Sequence, residues 1–373
     1  MALSLNPFAL ILAVLHLYVG ARLLQPFDPG VQVAGGLVLA ACFWLLPKGW
    51  RAREGKGRWS ILAPWITMGF FSWLLVLTLA RDLSVALGAM VVAPETLDGW
   101  IAQSALGVMA LTPLITMAGY LMARRTARVV EVTVPLADLP DGLEGFTIVQ
   151  VSDVHVGPTI KRDFVEAIVA RVNGLDADLV AITGDLVDGS VRELSHHTAP
   201  LAALQSRHGT YFVTGNHEYY SGARAWIAEL ERLGARVLIN EHVVLQHGGA
   251  EVAMAGVTDF SAHYFDPSHR SDPHLALAGV PEGAVRILLA HQPRSAKAAA
   301  LAGFDLQLSG HTHGGQFWPW NLFVRLQQPF TAGLERLDRM WIYISRGTGY
   351  WGPPMRFGIP SEITRIRLVR AAG

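Results

Sequence analysis

Four long apolar stretches crowd the first 123 residues, and they limit what this part of the chain can become. They run over about Pro7–Leu24, Val31–Leu46, Ile61–Ala80 and Ile101–Ala123. A helix needs roughly 20 apolar residues to cross the hydrocarbon core of a bilayer. The first, third and fourth stretches meet that length. The second is short and carries Gly35 and Gly36. Leu83–Ala93 is also apolar, and either extends the third stretch or lies in the interface. The alternative, a buried core in a soluble bundle, is disfavoured by stretches this long and this poor in charge. No basic residue precedes the first stretch and no small-x-small cleavage site follows it, so it reads as a retained anchor. His16, alone near the middle of an apolar run, reads as a packed or partnered structural residue.

Composition supports a division of the chain. Apolar residues make up 51% and charged residues 16%, whereas a soluble domain carries about a quarter charged residues. The deficit is local, because from about Arg128 onward the chain reads as an ordinary soluble domain. A transmembrane region over 1–127, with about four helices, and a soluble domain over 128–373 are therefore predicted. Formal net charge is zero, so no global field favours nucleic acid, and none is expected as a partner. The single cysteine, Cys42, permits neither an intramolecular disulfide nor a thiolate metal cluster. Any metal site must use His, Asp, Glu and Asn. Of the fourteen histidines, all but His16 begin at His155.

Orientation follows from Lys and Arg in short loops. Lys48, Arg51, Arg53, Lys56 and Arg58 lie between the second and third stretches, and Arg124, Arg125 and Arg128 follow the fourth. The other two loops hold only Arg22 and Arg81, beside Asp28, Asp82, Glu95 and Asp98. With four spans both basic loops share one side, the cytoplasm. This predicts a multi-pass protein of the inner (cytoplasmic) membrane with its C-terminal domain facing the cytoplasm. The inference requires the second stretch to span. The region shows no paired intramembrane charges, which argues against a polar translocation path.

The soluble domain repeats one pattern, a short β-branched run that ends in a loop bearing Asp, Asn or His. Gly145–Val151 leads to Asp153 and His155, and Asp178–Thr183 leads to Gly184-Asp185. Thr210–Thr214 leads to Gly215-Asn216-His217-Glu218, Val285–Ala290 to His291, and Leu306–Ser309 to Gly310-His311-Thr312-His313. Helical stretches such as Arg162–Val172 and Ala223–Leu233 intervene. Short apolar runs bounded by turns read as buried strands. Polar residues at their ends fit the rule that α/β sites lie beyond the carboxyl edge of the sheet. Asp-x-His or Gly-Asp alone means little, whereas all five motifs in this order are very hard to obtain by chance.

In that order the motifs resemble the calcineurin-like metallophosphoesterase superfamily, over about residues 128–370. Gly310–Gln316 and Ser345–Gly349 are most similar to bacterial membrane-linked predicted phosphohydrolases. The resemblance implies an α/β fold, a four-layer αββα metallophosphoesterase sandwich preceded by the transmembrane helical region. It implies a metal-dependent phosphohydrolase in which two divalent ions, Mn, Fe or Zn, clamp a phosphoryl group and a metal-bridged hydroxide attacks it. Carried over residue by residue, Asp153, His155 and His313 hold one ion, Asn216, His291 and His311 the other, and Asp185 bridges. His217 faces substrate and protonates the leaving oxygen. Asp188 orients His217, or else forms an Asx turn before Gly189. Protein phosphatases of this superfamily carry an arginine where Gly189 stands, so that activity is disfavoured. Arg346 either replaces the missing charge or caps a surface loop. The other histidines, His196, His197, His208, His242, His247, His263, His269 and His274, read as surface or turn residues.

The implied substrate is a phosphodiester, phosphomonoester or pyrophosphate. Lipid-linked compounds are among the candidates, including a nucleotide-linked lipid precursor. Phe317, Trp318, Trp320 and Phe323 follow the last ligands, and form either a packed lid or an interfacial cluster. A catalytically silent membrane-anchored scaffold of the same fold is the competing class. Such relatives lose ligands or the acid histidine, and here the set is complete.

Overall fold

The computed structural model describes residues 7–51 and 57–371. Arg53 and Lys56, two of the basic residues used for orientation, lie outside the described residues. The chain forms two compact units, Met1–Arg124 with Gly352–Phe357, and Arg125–Trp351 with Gly358–Gly373.

The first unit contains α1 (Pro7–Leu24), α2 (Pro29–Leu45), α3 (Arg58–Gly88) and α4 (Pro94–Ala123). These four helices are long and apolar enough to cross a membrane. The second apolar stretch is helical in spite of its glycines. Asp28 caps it, accepting from Gly30 N at 2.8 Å and Val31 N at 3.2 Å, and Pro29 supplies a preset first turn. Leu83–Gly88 extends α3. Two expectations are corrected here. Arg81 and Asp82 lie inside α3, not in a loop. The charges also pair: Asp82 accepts from Tyr18 Oη at 2.7 Å, Arg22 Nε at 2.7 Å and Arg81 at 2.8 Å. The Arg81 side chain is buried and Asp82 largely so, and a charge removed from water needs a partner. His16 is packed and partnered, with Nδ1 2.7 Å from Leu12 O and its ring stacked on Phe71 at 3.7 Å.

Gly352–Phe357 joins this unit through close approaches that only small residues allow. Trp73 Nε1 lies 3.1 Å from Met355 Sδ, and Arg356 N donates to Gly119 O at 3.0 Å. A Cβ on Gly119 would come within 2.7 Å of Met355 Cγ.

The second unit holds twelve strands among the described residues: β1 (Arg128–Leu136), β2 (Thr147–Val151), β3 (Leu179–Ile182), β4 (Thr210–Phe212), β5 (Ala235–Val237), β6 (Glu241–His247), β7 (Ala250–Gly256), β8 (Val285–Leu289), β9 (Leu306–Ser309), β10 (Gly333–Leu337), β11 (Met340–Ile344) and β12 (Glu362–Arg370). They form two six-stranded sheets, ordered β1-β12-β2-β3-β4-β5 and β10-β11-β9-β8-β7-β6. The strands that precede the polar motifs are parallel and central, and β2 and β3 are buried along their whole length. Unbroken apolar runs suit strands covered on both faces. Ile148, Leu179 and Tyr211 of one sheet pack with Met254, Ile287, Leu308 and Tyr343 of the other, which makes the sandwich interior. Amphipathic helix Arg162–Asn173 buries Phe164, Val165, Ile168, Val169 and Val172. Helix Ala296–Ala302 contributes Ala296 and Ala299 to a second cluster with Leu288 and Ile342. The resulting layers are helix, sheet, sheet, helix. The carboxyl ends of β2, β3, β4, β8 and β9 lead into Asp153, Asp185, Asn216, His291 and His311 respectively.

Candidate metal centre

Those five strand ends converge. His155 Nε2 lies 3.0 Å from His313 Nε2, and His313 Nε2 is 3.5 Å from Asp153 Oδ1. His291 Nε2 lies 3.0 Å from Asp185 Oδ2 and 3.2 Å from His311 Nδ1. Asp153, His155 and His313 thus form one group of converging donors, and Asp185, His291 and His311 a second. Asp185 Oδ2 is also 3.9 Å from His155 Nε2, so one carboxylate faces both groups. Asp153, His155, Asp185 and His291 are each at most 2% exposed.

Backbone geometry sets these donors. Asp153, His155, Asp185, His311 and His313 all have positive φ, between 50° and 69°. Left-handed conformation is uncommon for side-chain-bearing residues and tends to collect at functional sites. Close approach matters equally. A Cβ on Gly215 would overlap Asp185 Oδ1, and one on Gly310 would overlap Ser152 Oγ and Asp153 Oδ2. Each group has its own support. His291 Nδ1 sits 2.7 Å from Thr183 O, so an N–H there leaves Nε2 as the lone-pair donor. Asp153 accepts from Ser152 Oγ at 2.5 Å and from His311 N at 2.9 Å. Burial, with the charge of His291 next, lowers His311 to about 3, so its imidazole is neutral and able to ligate.

The donor set fits divalent ions. Asn216 Oδ1 is buried and has no hydrogen-bond partner. A buried orphan amide oxygen is costly, and a cation is the partner it suits. Imidazole mixed with carboxylate matches Mn, Fe or Zn.

Asp188 Oδ1 receives two rings, His155 Nδ1 at 3.0 Å and His217 Nδ1 at 2.6 Å. Burial raises the Asp188 carboxyl, but His155 and His217 outweigh it and hold it at about 2. Burial lowers His217, while the charge of Asp185 and the Asp188 hydrogen bond raise it, to about 9. His217 Nε2 is 4.0 Å from Asp185 Oδ2, and its backbone N–H donates to Asp185 Oδ1 at 2.9 Å. The side chain stays 14% exposed, so the ring faces both the donors and solvent.

Arg346 does not cap a surface loop. Its guanidinium pairs with buried Glu362 at 2.8 Å, and its Cγ would lie 3.1 Å from a Cβ on Gly314. Gly189 contributes only backbone, its carbonyl accepting from Trp226 Nε1 at 2.9 Å. Histidines outside the motifs find other partners, such as His269 with Tyr219 Oη at 2.7 Å and His242 with Ala276 O at 2.8 Å.

Sequence reading gave no role to Glu218. Its fully buried carboxylate accepts from Gly215 N at 2.7 Å, Leu186 N at 2.8 Å, Asp185 N at 3.0 Å and Val187 N at 3.3 Å. One side chain therefore fastens the Asp185 loop to the Asn216 loop. Burial and the charge of Asp185 push this carboxyl up to about 8, against the pull of its N–H donors. The available signal was position, because a residue at N3 of helix Asn216–Ser221 can reach back to the helix start.

Residues 146–315 match the calcineurin-like phosphoesterase family. The chain is 42% identical over 282 residues to a "Transmembrane protein with metallophosphoesterase domain" of Bos taurus, covering 72% of this chain and 63% of that protein. A protein of the same name from Danio rerio is 38% identical, with 74% and 64% covered. An "Uncharacterized metallophosphoesterase" of Aquifex aeolicus is 34% identical over 243 residues, covering 65% of this chain and 91% of its own. The chain thus spans slightly under two thirds of the two vertebrate relatives.

Proposed function

The chain belongs to the calcineurin-like metallophosphoesterase family, and we propose that it is a membrane-anchored two-metal phosphoesterase. It hydrolyses a phosphodiester, phosphomonoester or pyrophosphate bond. Residues 1–127 anchor it and 128–373 carry the reaction. The observation behind this reading is the convergence of six donors from four strand ends into two groups, with the buried Asn216 oxygen unpartnered. Asp153, His155 and His313 would hold one ion and Asn216, His291 and His311 the other, with the Asp185 carboxylate facing both groups. Two bound ions would neutralise phosphoryl charge and supply a hydroxide near neutral pH.

The chain's own groups complete the work. Asp188 fixes the Nδ1–H tautomer of His155, leaving Nε2 as the donor. The same carboxylate orients His217, whose Nε2–H points its proton at the leaving oxygen. Lys and Arg in the short loops support a multi-pass arrangement in the inner membrane with both termini cytoplasmic. A lipid-linked phosphate ester, nucleotide-lipid pyrophosphates included, is the substrate type such an anchored enzyme meets.

Two variants test the roles. Asp185→Asn removes charge and a ligand from both ions and is expected to lose metal and activity together. His217→Ala is expected to retain metal while its rate falls by roughly 10²–10⁴-fold, less for good leaving groups. Metal loss in His217→Ala as severe as in Asp185→Asn would make His217 a ligand and overturn the assignment. A metal-replete wild type silent on every ester would favour the scaffold.

A further inference from the structure

The aromatic segment after His313 is only partly buried. Phe317 is buried, but Trp318 is 43%, Trp320 41% and Phe323 52% exposed. A second exposed aromatic group stands beside His217. The rings of Tyr220 and Trp351 lie 5.1 and 5.6 Å from its imidazole, and Phe265 lies 5.5 Å from Tyr220. Tyr220 is 60%, Phe265 53% and Trp351 40% exposed. Gln316 ties the groups together, donating to Trp351 O at 2.9 Å and accepting from Trp351 N at 2.8 Å. Exposed apolar surface beside a cluster of polar donors marks a binding site.

Ring orientation narrows the ligand. His217–Trp351, His217–Tyr220 and Tyr220–Phe265 meet at 73°, 64° and 63°. A flat base stacks on an open ring face or between parallel faces. Rings set edge to face instead present an uneven apolar wall, suited to flexible hydrocarbon. The supply of such a ligand is close to the same chain, which carries four helices long and apolar enough to cross a membrane.

We propose that Tyr220, Phe265, Trp351, Trp320 and Phe323 form an apolar collar that receives the hydrocarbon chain of a bilayer lipid, setting its phosphate ester before the metal centre. This rests on the phosphoesterase reading above and names its substrate class. Full-length protein in phosphatidylcholine nanodiscs with Mn would be given methyl and dodecyl 4-nitrophenyl phosphate. In both, water adds oxygen to phosphorus and 4-nitrophenolate leaves, so only the chain differs. The dodecyl ester should show a kcat/KM higher by roughly tenfold or more. The ratio should fall toward one in Tyr220→Ser/Phe265→Ser and in Trp320→Ser/Phe323→Ser, each checked for retained metal. Added empty nanodiscs should slow the dodecyl reaction by diluting substrate in the bilayer. A wild-type ratio near one, a ratio unchanged in both double variants, or a rate that ignores surface dilution would overturn the collar. Failure to cleave both of these diesters, a phosphomonoester and a pyrophosphate, with metal bound, would instead overturn the phosphoesterase reading beneath it.

Discussion

Replacing Glu218 with Gln exchanges one carboxylate oxygen for an amide nitrogen in a site where every neighbour is a donor. Each oxygen now accepts two backbone N–H groups, one pair from Leu186 and Val187, the other from Asp185 and Gly215. Either amide orientation leaves one pair of buried donors facing an NH₂. An orphaned buried donor costs about 1–3 kcal/mol, so the pair costs about 2–6 kcal/mol. A domain of this size loses about 2–4 °C of Tm per kcal/mol, which predicts a fall of about 4–24 °C. Because the same bonds hold the Asp185 and Asn216 loops, metal should be lost well below the new Tm. Tryptophan fluorescence on heating and elemental analysis of detergent-purified protein measure both, at pH 9, above the value of about 8 at which the Glu218 carboxyl ionises. A Tm within about 2 °C of wild type, with full metal content, would refute the reasoning. It would mean that the Glu218 carboxyl is already neutral in the fold and that an amide replaces it without penalty.

Gly310→Ala places a methyl group against Ser152 Oγ and Asp153 Oδ2. Displacing a donor by about 1 Å costs on the order of 10²-fold in rate, so turnover on a 4-nitrophenyl ester should drop by that much; an unaffected rate would show that Asp153 is not a ligand. A topology reporter fused after Gly373 should be active only in its cytoplasmic form; activity only outside would reverse the orientation and move the substrate pool across the membrane.

The sequence announced the centre because its chemistry is local. Each ligand stands within a few residues of a strand end, and a short buried strand has an unmistakable apolar run, as in Leu306–Ser309 before His311. The apolar helices were legible for the same reason, since Pro7–Leu24 is bounded by composition alone. What stayed hidden depends on partners distant in the chain. Arg81 and Asp82 look like a loop pair until Tyr18 and Arg22 arrive from another helix to satisfy them. Gly352–Phe357 shows no apolar period, yet it lies with the helices because glycines at 69 and 119 make room for Met355. Glu218 resembles any acid in a first helical turn, and only the fold brings four N–H groups to it. The aromatic segment was ambiguous because residue type says nothing about direction: Phe317 turns inward and Trp318 outward across one peptide bond. The left-handed ligands belong with these cases. No residue preference asks for positive φ at His311 or His313, and such strain persists only where the surroundings over-determine it. Ser152 Oγ and the Asp153 carboxylate contribute to it by lying against Gly310, where Asp153 also accepts the His311 N–H and holds the loop.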